Sequence, residues 1–251
     1  MNYNLNSPED KKWLSRLLDL ANSCETKKTP KFTDFCDIHL LSIAKASLKD
    51  SFVLHSFWGG FDDSERQMVG FFPDYLEPDS SLFPISLLKI KGAKGSSHRD
   101  FLGSFLGLGI TRDCIGDILV CDDSCFVFVH SKIAEFILYN LNKVGKNHVT
   151  VSLEEDLSVL PERKFEEIFG TVSSVRLDSI VSLFTKKSRG DSQDLISSER
   201  VFLNGVAVTN NSASLKTGDV ISVRGFGKMR LGTLGPETKK GRIRVTLYKY
   251  V

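Results

Sequence analysis

The residues with the clearest chemical potential stand close together in the last third of the 251-residue chain. Arg176, Lys186, Lys187, Arg189 and Arg200 fall in or beside two short apolar-periodic runs, VSSVRLDSIVSLFTKKS and DSQDLISSE. Leu177, Ile180, Leu183, Phe184, Leu195 and Ile196 supply a seam that can be buried while the cations point outward. Guanidinium forks match phosphate oxygens in pairs, and the N-terminus of the second helix adds backbone N–H donors. The chemistry expected is recognition of a phosphate backbone of defined shape, which suits folded RNA. Ser188, Asn204 and Arg224 belong to the same candidate set, and Lys228, Arg230, Arg242 and Arg244 form a flanking basic strip. His98 and Arg99, at the expected start of another helix, are a secondary candidate for a phosphate contact. A plain helix cap carrying a surface arginine would read the same way.

The charge distribution agrees with that reading. The formal net charge is only +2, but residues 161–251 hold 16 Lys/Arg against 9 Asp/Glu, and residues 1–160 hold 17 against 22. Eight of the basic groups lie in residues 224–251, opposed only by Glu237. A basic end on an acidic body is the layout expected when one domain meets a polyanion, although a solvated face can have the same composition.

Catalytic chemistry finds less support. The five histidines (His39, His55, His98, His130, His148) lie in separate segments, with no H-E-x-x-H or C-x-x-C pair. Cys121 and Cys125 are four apart in an expected hairpin, a poor arrangement for zinc. Gly225-Phe226-Gly227 follows a strand but leads into Lys-Met-Arg, not a helix, so a dinucleotide site is not expected. No catalytic residue, metal or cofactor is expected. The odd cysteine number (Cys24, Cys36, Cys114, Cys121, Cys125) suggests reduced thiols, and no stretch approaches the roughly 18 apolar residues of a membrane span. A cytosolic, monomeric protein without membrane or DNA partners is the expectation.

The elements that must position these residues follow from periodicity. A helix should start at Ser7-Pro8-Glu9-Asp10, and a second apolar run extends from Phe35 to Leu48. SFVLHSFWGG and ERQMVGFFP read as strands joined by a turn, and Asp74 to Pro84 as a linker. ISLLKIKG, HRDFLGSFLGLG, DILVCD, CFVFVH, SKIAEFILYNLNKVG and HVTVSLEE then follow the order β-α-β-β-α-β of a ferredoxin-like domain. Phe126 and Phe128 share one face of their strand and could either stack bases or join a core. After Leu160-Pro161 come the two short helices, the second expected to start at a capping Asp191, and four strands, RVFLNG, VAVTN, DVISVRG and GRIRVTLYKYV. The fold class expected is α+β in three modules: a mainly helical section with a strand pair (1–80), an RRM-like domain (81–160) and a basic α+β module (161–251).

The last module resembles the RNA-binding domain named after small-subunit ribosomal protein "S four", also called the αL motif. The matching positions are Arg176-Leu177-Asp178, Ser188-Arg189, Ile196, Val201, Leu203-Asn204-Gly205 and Gly218-Asp219-Val220-Ile221. Gly190-Asp191-Ser192 departs from the usual Ser/Arg-x-Glu-Ala pattern. Phe57-Trp58-Gly59-Gly60, Glu65-Arg66, His98 to Gly103, Gly107 to Ile110 and Ile115-Gly116-Asp117-Ile118 extend the likeness to the YlmH family of bacteria over essentially the whole chain. That resemblance implies an RNA-binding partner of the ribosome, its large subunit and bound tRNA, with a role in rescue of stalled translation. Arg176-Leu177-Asp178 also resembles the R-L-D signature of pseudouridine synthases, in which the aspartate is catalytic. Here the triplet opens the αL helix, and a synthase would need a separate catalytic domain.

Overall fold

The computed structural model describes residues 7–62, 64–161 and 165–250. Asp63, in the turn expected between the first two strands, and Val251, at the end of the last expected strand, lie outside them. Two compact units emerge, Met1–Pro161 and Glu162–Val251.

The first unit opens with α1 (Pro8–Lys27), β1 (Lys31–Phe32), α2 (Ile38–Ser47), β2 (Leu54–Trp58) and β3 (Met68–Phe72). Helix α1 starts where the sequence places it: Ser7 Oγ accepts from Asp10 N–H, with Pro8 and two acids in the first turn. β4 (Ile85–Lys91), α3 (His98–Gly107), β5 (Ile115–Val120), β6 (Ser124–His130), α4 (Ser131–Asn140), β7 (Lys143–Val144), β8 (Asn147–His148) and β9 (Thr150–Glu154) follow. Helix α4 ends earlier than expected, and the chain turns through the β7–β8 hairpin before β9. The four-stranded sheet has the order β5-β6-β4-β9 with every pair antiparallel.

Each face of that sheet is covered. Leu88, Ile90, Val127 and Val129 pack on one side with Phe101 and Phe105 of α3 and Ala134 and Ile137 of α4. On the other side Leu87, Phe126 and Phe128 form a core with Phe35, Met68, Phe72 and Phe83. Phe128 is 1% exposed, and its ring stacks on Phe61 at 4.9 Å. The sequence left open whether these phenylalanines stack bases; they are core.

The second unit contains β10 (Phe165–Val172), α5 (Leu177–Thr185), α6 (Arg189–Ser197), β11 (Val201–Leu203), β12 (Val206–Ala207), β13 (Val220–Val223), β14 (Gly227–Glu237) and β15 (Ile243–Tyr250). Its six strands run in the order β10-β15-β14-β13-β11-β12, all pairs antiparallel. Ile180, Val181 and Phe184 of α5 and Leu195 and Ile196 of α6 pack on Ile221, Val223, Met229, Leu231, Val245 and Leu247. Both helices therefore cover one face. Strands β10 and β14 were not expected from sequence. In β14, Gly227, Gly232, Gly235 and Pro236 depress strand propensity. The sheet uses one of them: a Cβ on Gly232 would stand 2.4 Å from the Tyr248 ring. Mixed helices and antiparallel sheets make the chain α+β.

Candidate nucleic-acid interface

The α5–α6 turn concentrates the cations. Lys186 takes the left-handed conformation that ends α5 (φ 56°), and Lys187 follows it, both exposed. Lys187 Nζ lies 5.8 Å from the centre of the Phe226 ring. Ser188, not Asp191, caps α6: its hydroxyl accepts from Asp191 N–H while the Asp191 carboxylate accepts from Ser188 N–H. Asp191 sits at the third helical position of a capping box, so a second helix expected to start there begins at Arg189 instead.

Beneath this turn Asp178 is 1% exposed and ionically saturated. Arg189 reaches Asp178 Oδ2 with Nε at 2.8 Å and Nη2 at 2.7 Å. Arg176 Nη2 lies 3.4 Å from the same oxygen, and Gln193 Nε2 donates to it at 3.3 Å. Ser179 N–H and Oγ donate to Oδ1. A buried carboxylate is tolerated only when paired and hydrogen-bonded, so Arg176 and Arg189 are held by it and present their outer edges to solvent. Arg176 Nε is buried without a hydrogen-bond partner among the described residues.

The remaining predicted residues are placed differently. Asn204 forms the β11–β12 turn with Gly205, both at positive φ, as a two-residue hairpin turn requires. Its amide donates to Asp219 Oδ1 and accepts from Val220 N–H, each at 2.9 Å. Arg200 Nη2 donates to the Arg224 carbonyl, and the Arg224 guanidinium stacks over Phe202 at 5.0 Å. Lys228, Arg230 and Arg244 stand on the sheet face opposite the helices, because Ser222↔Lys228, Arg230↔Tyr248 and Thr171↔Arg244 are cross-strand partners. Arg242, at the β14–β15 turn, donates to the Thr171 carbonyl at 2.6 Å and to its Oγ1 at 3.1 Å. The cations thus divide between the α5–α6 turn and the opposite sheet face, where Lys228, Arg230 and Arg244 of the flanking strip stand. Phe165, Phe169, Tyr248 and Tyr250 accompany the second group; TLYKY signals its strand by period-two alternation, whereas the apolar residues of FEEIFGTV are spaced i, i+3, i+4 and i+7 as in a helix, which hides β10.

In the first unit, His98 and Arg99 open α3 on the surface, behind a Ser97–Asp100 capping box. Partial desolvation, then the neighbouring Arg112, hold His98 below the ordinary imidazole value, so it is neutral at pH 7. Positive charge at that helix start comes from Arg99, beside the Asp100 carboxylate of the cap. The Glu65-Arg66 and Ile115-Gly116-Asp117-Ile118 motifs meet each other. Asp117 accepts from Glu65 N–H at 2.8 Å and Arg66 N–H at 3.0 Å. Arg66 donates to the carbonyls of Ile115, Phe35 and Arg112. Burial pushes the Arg112 guanidinium down to about 10, helped by Arg66, and it remains charged near neutrality. Gly60 (φ 104°) belongs to the same junction, since a Cβ there would stand 2.1 Å from the Phe128 ring. These motifs fasten the N-terminal elements onto the central sheet.

Among the described residues no group of three or more His, Cys, Asp or Glu is placed to hold a metal ion, and no helix is long and apolar enough to cross a membrane. All five cysteines are unpaired.

Comparison with known proteins bears on the same regions. Residues 78–157 match the family described as "Putative RNA-binding domain in YlmH", and residues 175–221 match the S4 domain. The chain is 32% identical over 244 residues to the "Ribosome-associated protein quality control protein P2" of Bacillus subtilis (strain 168), covering 95% of this chain and 94% of that protein. A solved structure of "Cell division protein ylmH from Streptococcus pneumoniae" superimposes with a TM-score of 0.57 at 26% identity, over 64% of this chain and all of that one. With the paired motifs of both units and this full-length likeness, the chain belongs to the YlmH family of RNA-binding proteins, with a C-terminal S4 domain.

Proposed function

We propose that this protein is a non-enzymatic factor that docks on structured RNA of the ribosome, on the large subunit and its bound tRNA, during rescue or quality control of stalled translation. The observation that carries the reading is the α5–α6 turn: Lys186 and Lys187 exposed, Ser188 capping the N-terminus of α6, and Arg176 and Arg189 held in place by buried Asp178. Preorganised cations at a helix N-terminus bind phosphates without first being ordered. The ribosome-associated relative supports the choice of partner.

Three modules serve this function in the proposal, divided near residues 80 and 161. The central one is ferredoxin-like, because β4, β5, β6 and β9 with α3 and α4 have its antiparallel order. Its aromatic face is covered, and the RNA contact proposed there is at His98 and Arg99, at the start of α3. The protein acts as a cytosolic monomer, without cofactor, metal, membrane or DNA partner.

Sucrose-gradient sedimentation of tagged protein from lysate tests the proposal. Wild type should travel with large ribosomal subunits, and the Lys186→Ala/Lys187→Ala double variant should remain at the top. If both remain at the top in low salt, the ribosome assignment is wrong. Arg189 is unsuitable for this test, because removing it also exposes the charge of Asp178.

A further inference from the structure

The sheet face opposite α5 and α6 carries aromatic and basic side chains together. Cross-strand partners share a face, so Phe165, Phe169, Tyr248 and Tyr250 stand on this side with Arg230, Lys228 and Arg244. Arg230 lies 5.2 Å from the Phe165 ring centre and 5.7 Å from that of Tyr248, and Lys228 lies 5.1 Å from that of Tyr250. Farther along, Phe169 is 70% exposed, an unusual state for a large aromatic on a strand. It borders a shallow groove of about 460 Å³ with Gly170, Thr171, Thr233, Gly235 and Arg244. Gly235 carries no side chain on the Arg244 side, Thr171 and Thr233 contribute hydroxyls to the lining, and Arg244 is exposed at the rim, whereas the missing side chain of Gly170 faces Leu183 on the helix side.

We infer that this open sheet face is a second RNA-binding surface, separate from the α5–α6 turn, which takes an unpaired stretch of RNA with a base stacked on Phe169 and a phosphate on Arg244. The inference rests on the RNA-binding reading above and adds both a surface and a class of RNA. A protein partner would have to be acidic to meet the cations of this face. A single strand uses rings and cations at once, because every base offers a π-face and every linkage a negative charge. The acidic Glu167 lies on this face between Phe165 and Phe169 and separates the stacked cluster from the groove. Duplex RNA buries its bases and cannot use an exposed ring in this way.

Fluorescence anisotropy of the full chain, at low salt, separates the two surfaces. The probes are a labelled 12-nucleotide oligouridylate and a labelled RNA hairpin. Phe169→Ala should weaken oligouridylate binding about tenfold, while hairpin binding stays within twofold. Phe169→Tyr, which keeps the ring, should restore oligouridylate binding. Unchanged oligouridylate affinity in Phe169→Ala overturns the inference, as does wild type that binds the hairpin but not the oligouridylate. Equal loss of both ligands also overturns it, because the face would not then be a separate site. Wild type that binds neither RNA removes the RNA-binding reading itself. Sedimentation velocity supplies the last arm: a wild-type dimer that Phe169→Ala dissolves assigns the face to a second copy of the chain and overturns the inference.

Discussion

The four-stranded and the six-stranded sheets of this protein use aromatic side chains in opposite ways. On β6, Phe126 and Phe128 alternate along one face, and that face is closed by Phe35, Met68, Phe72 and Phe83. On β10 and β15, Phe165, Phe169, Tyr248 and Tyr250 alternate in the same manner, but both helices of that unit pack on the other side. Cations follow the difference. One lysine, Lys89, lies over Phe126 and pairs with Glu154, whereas Lys228 and Arg230 lie over three rings of the second sheet. An aromatic pair on a strand is therefore ambiguous until its cover is known. Packing makes it core, and openness with basic neighbours makes it a stacking surface.

Mutations can break that comparison or sharpen it. The largest effect is expected at the closed face: Phe128→Ala should lower unfolding free energy by about 3–5 kcal/mol, the range for deleting a fully buried aromatic, as read by urea denaturation. A loss below about 1 kcal/mol would mean that the face is loosely covered. Next comes Arg189→Ala. It leaves the buried Asp178 carboxylate to Arg176, Gln193 and Ser179, and should cost about 1–3 kcal/mol as well as RNA affinity. If its melting profile matches wild type, Arg189 is a contact residue alone and the brace is unimportant.

The exposed lysines should behave differently. Lys186→Ala/Lys187→Ala should leave stability within about 0.5 kcal/mol. It should also flatten the dependence of log affinity on log salt by about 0.7–0.9 for each phosphate no longer neutralised. An unaltered slope would place the phosphates elsewhere. The smallest effect on stability is expected at the open face, where Phe169→Ala should change unfolding free energy by no more than about 0.5 kcal/mol. A cost near that of Phe128→Ala would show that the face is covered in solution, and the contrast between the two sheets would disappear.

Much of the candidate site is legible in the amino-acid sequence. Ser7, Pro8 and the following acids locate the start of α1, and the seam from Leu177 to Ile196 locates α5 and α6, because caps and periodicity act over a few residues. Strand β14 is not legible there, since its glycines and proline contradict local strand preference and make sense only against Tyr248 and the neighbouring strands. The partners of Asn204 are hidden for a related reason: an Asn-Gly pair signals a turn, but those of its amide, Asp219 and Val220, lie 15 and 16 residues away. The cap of α6 shows the limit on a finer scale, since Ser188 and Asp191 are both good capping residues and only the backbone path chooses between them.

By itself the sequence determined where the main helices lie, the basic character of the final unit and the motifs that mark the family. These depend on residue type and short-range spacing, which each segment carries wherever it packs. The tertiary structure alone decided which cations share a face, which arginines are bound to Asp178, and which aromatic pair is closed over. Those outcomes depend on contacts between residues distant in the chain. The alternation that places Phe128 and Phe169 on a face is local, but what covers that face, if anything, is supplied by other elements of the fold.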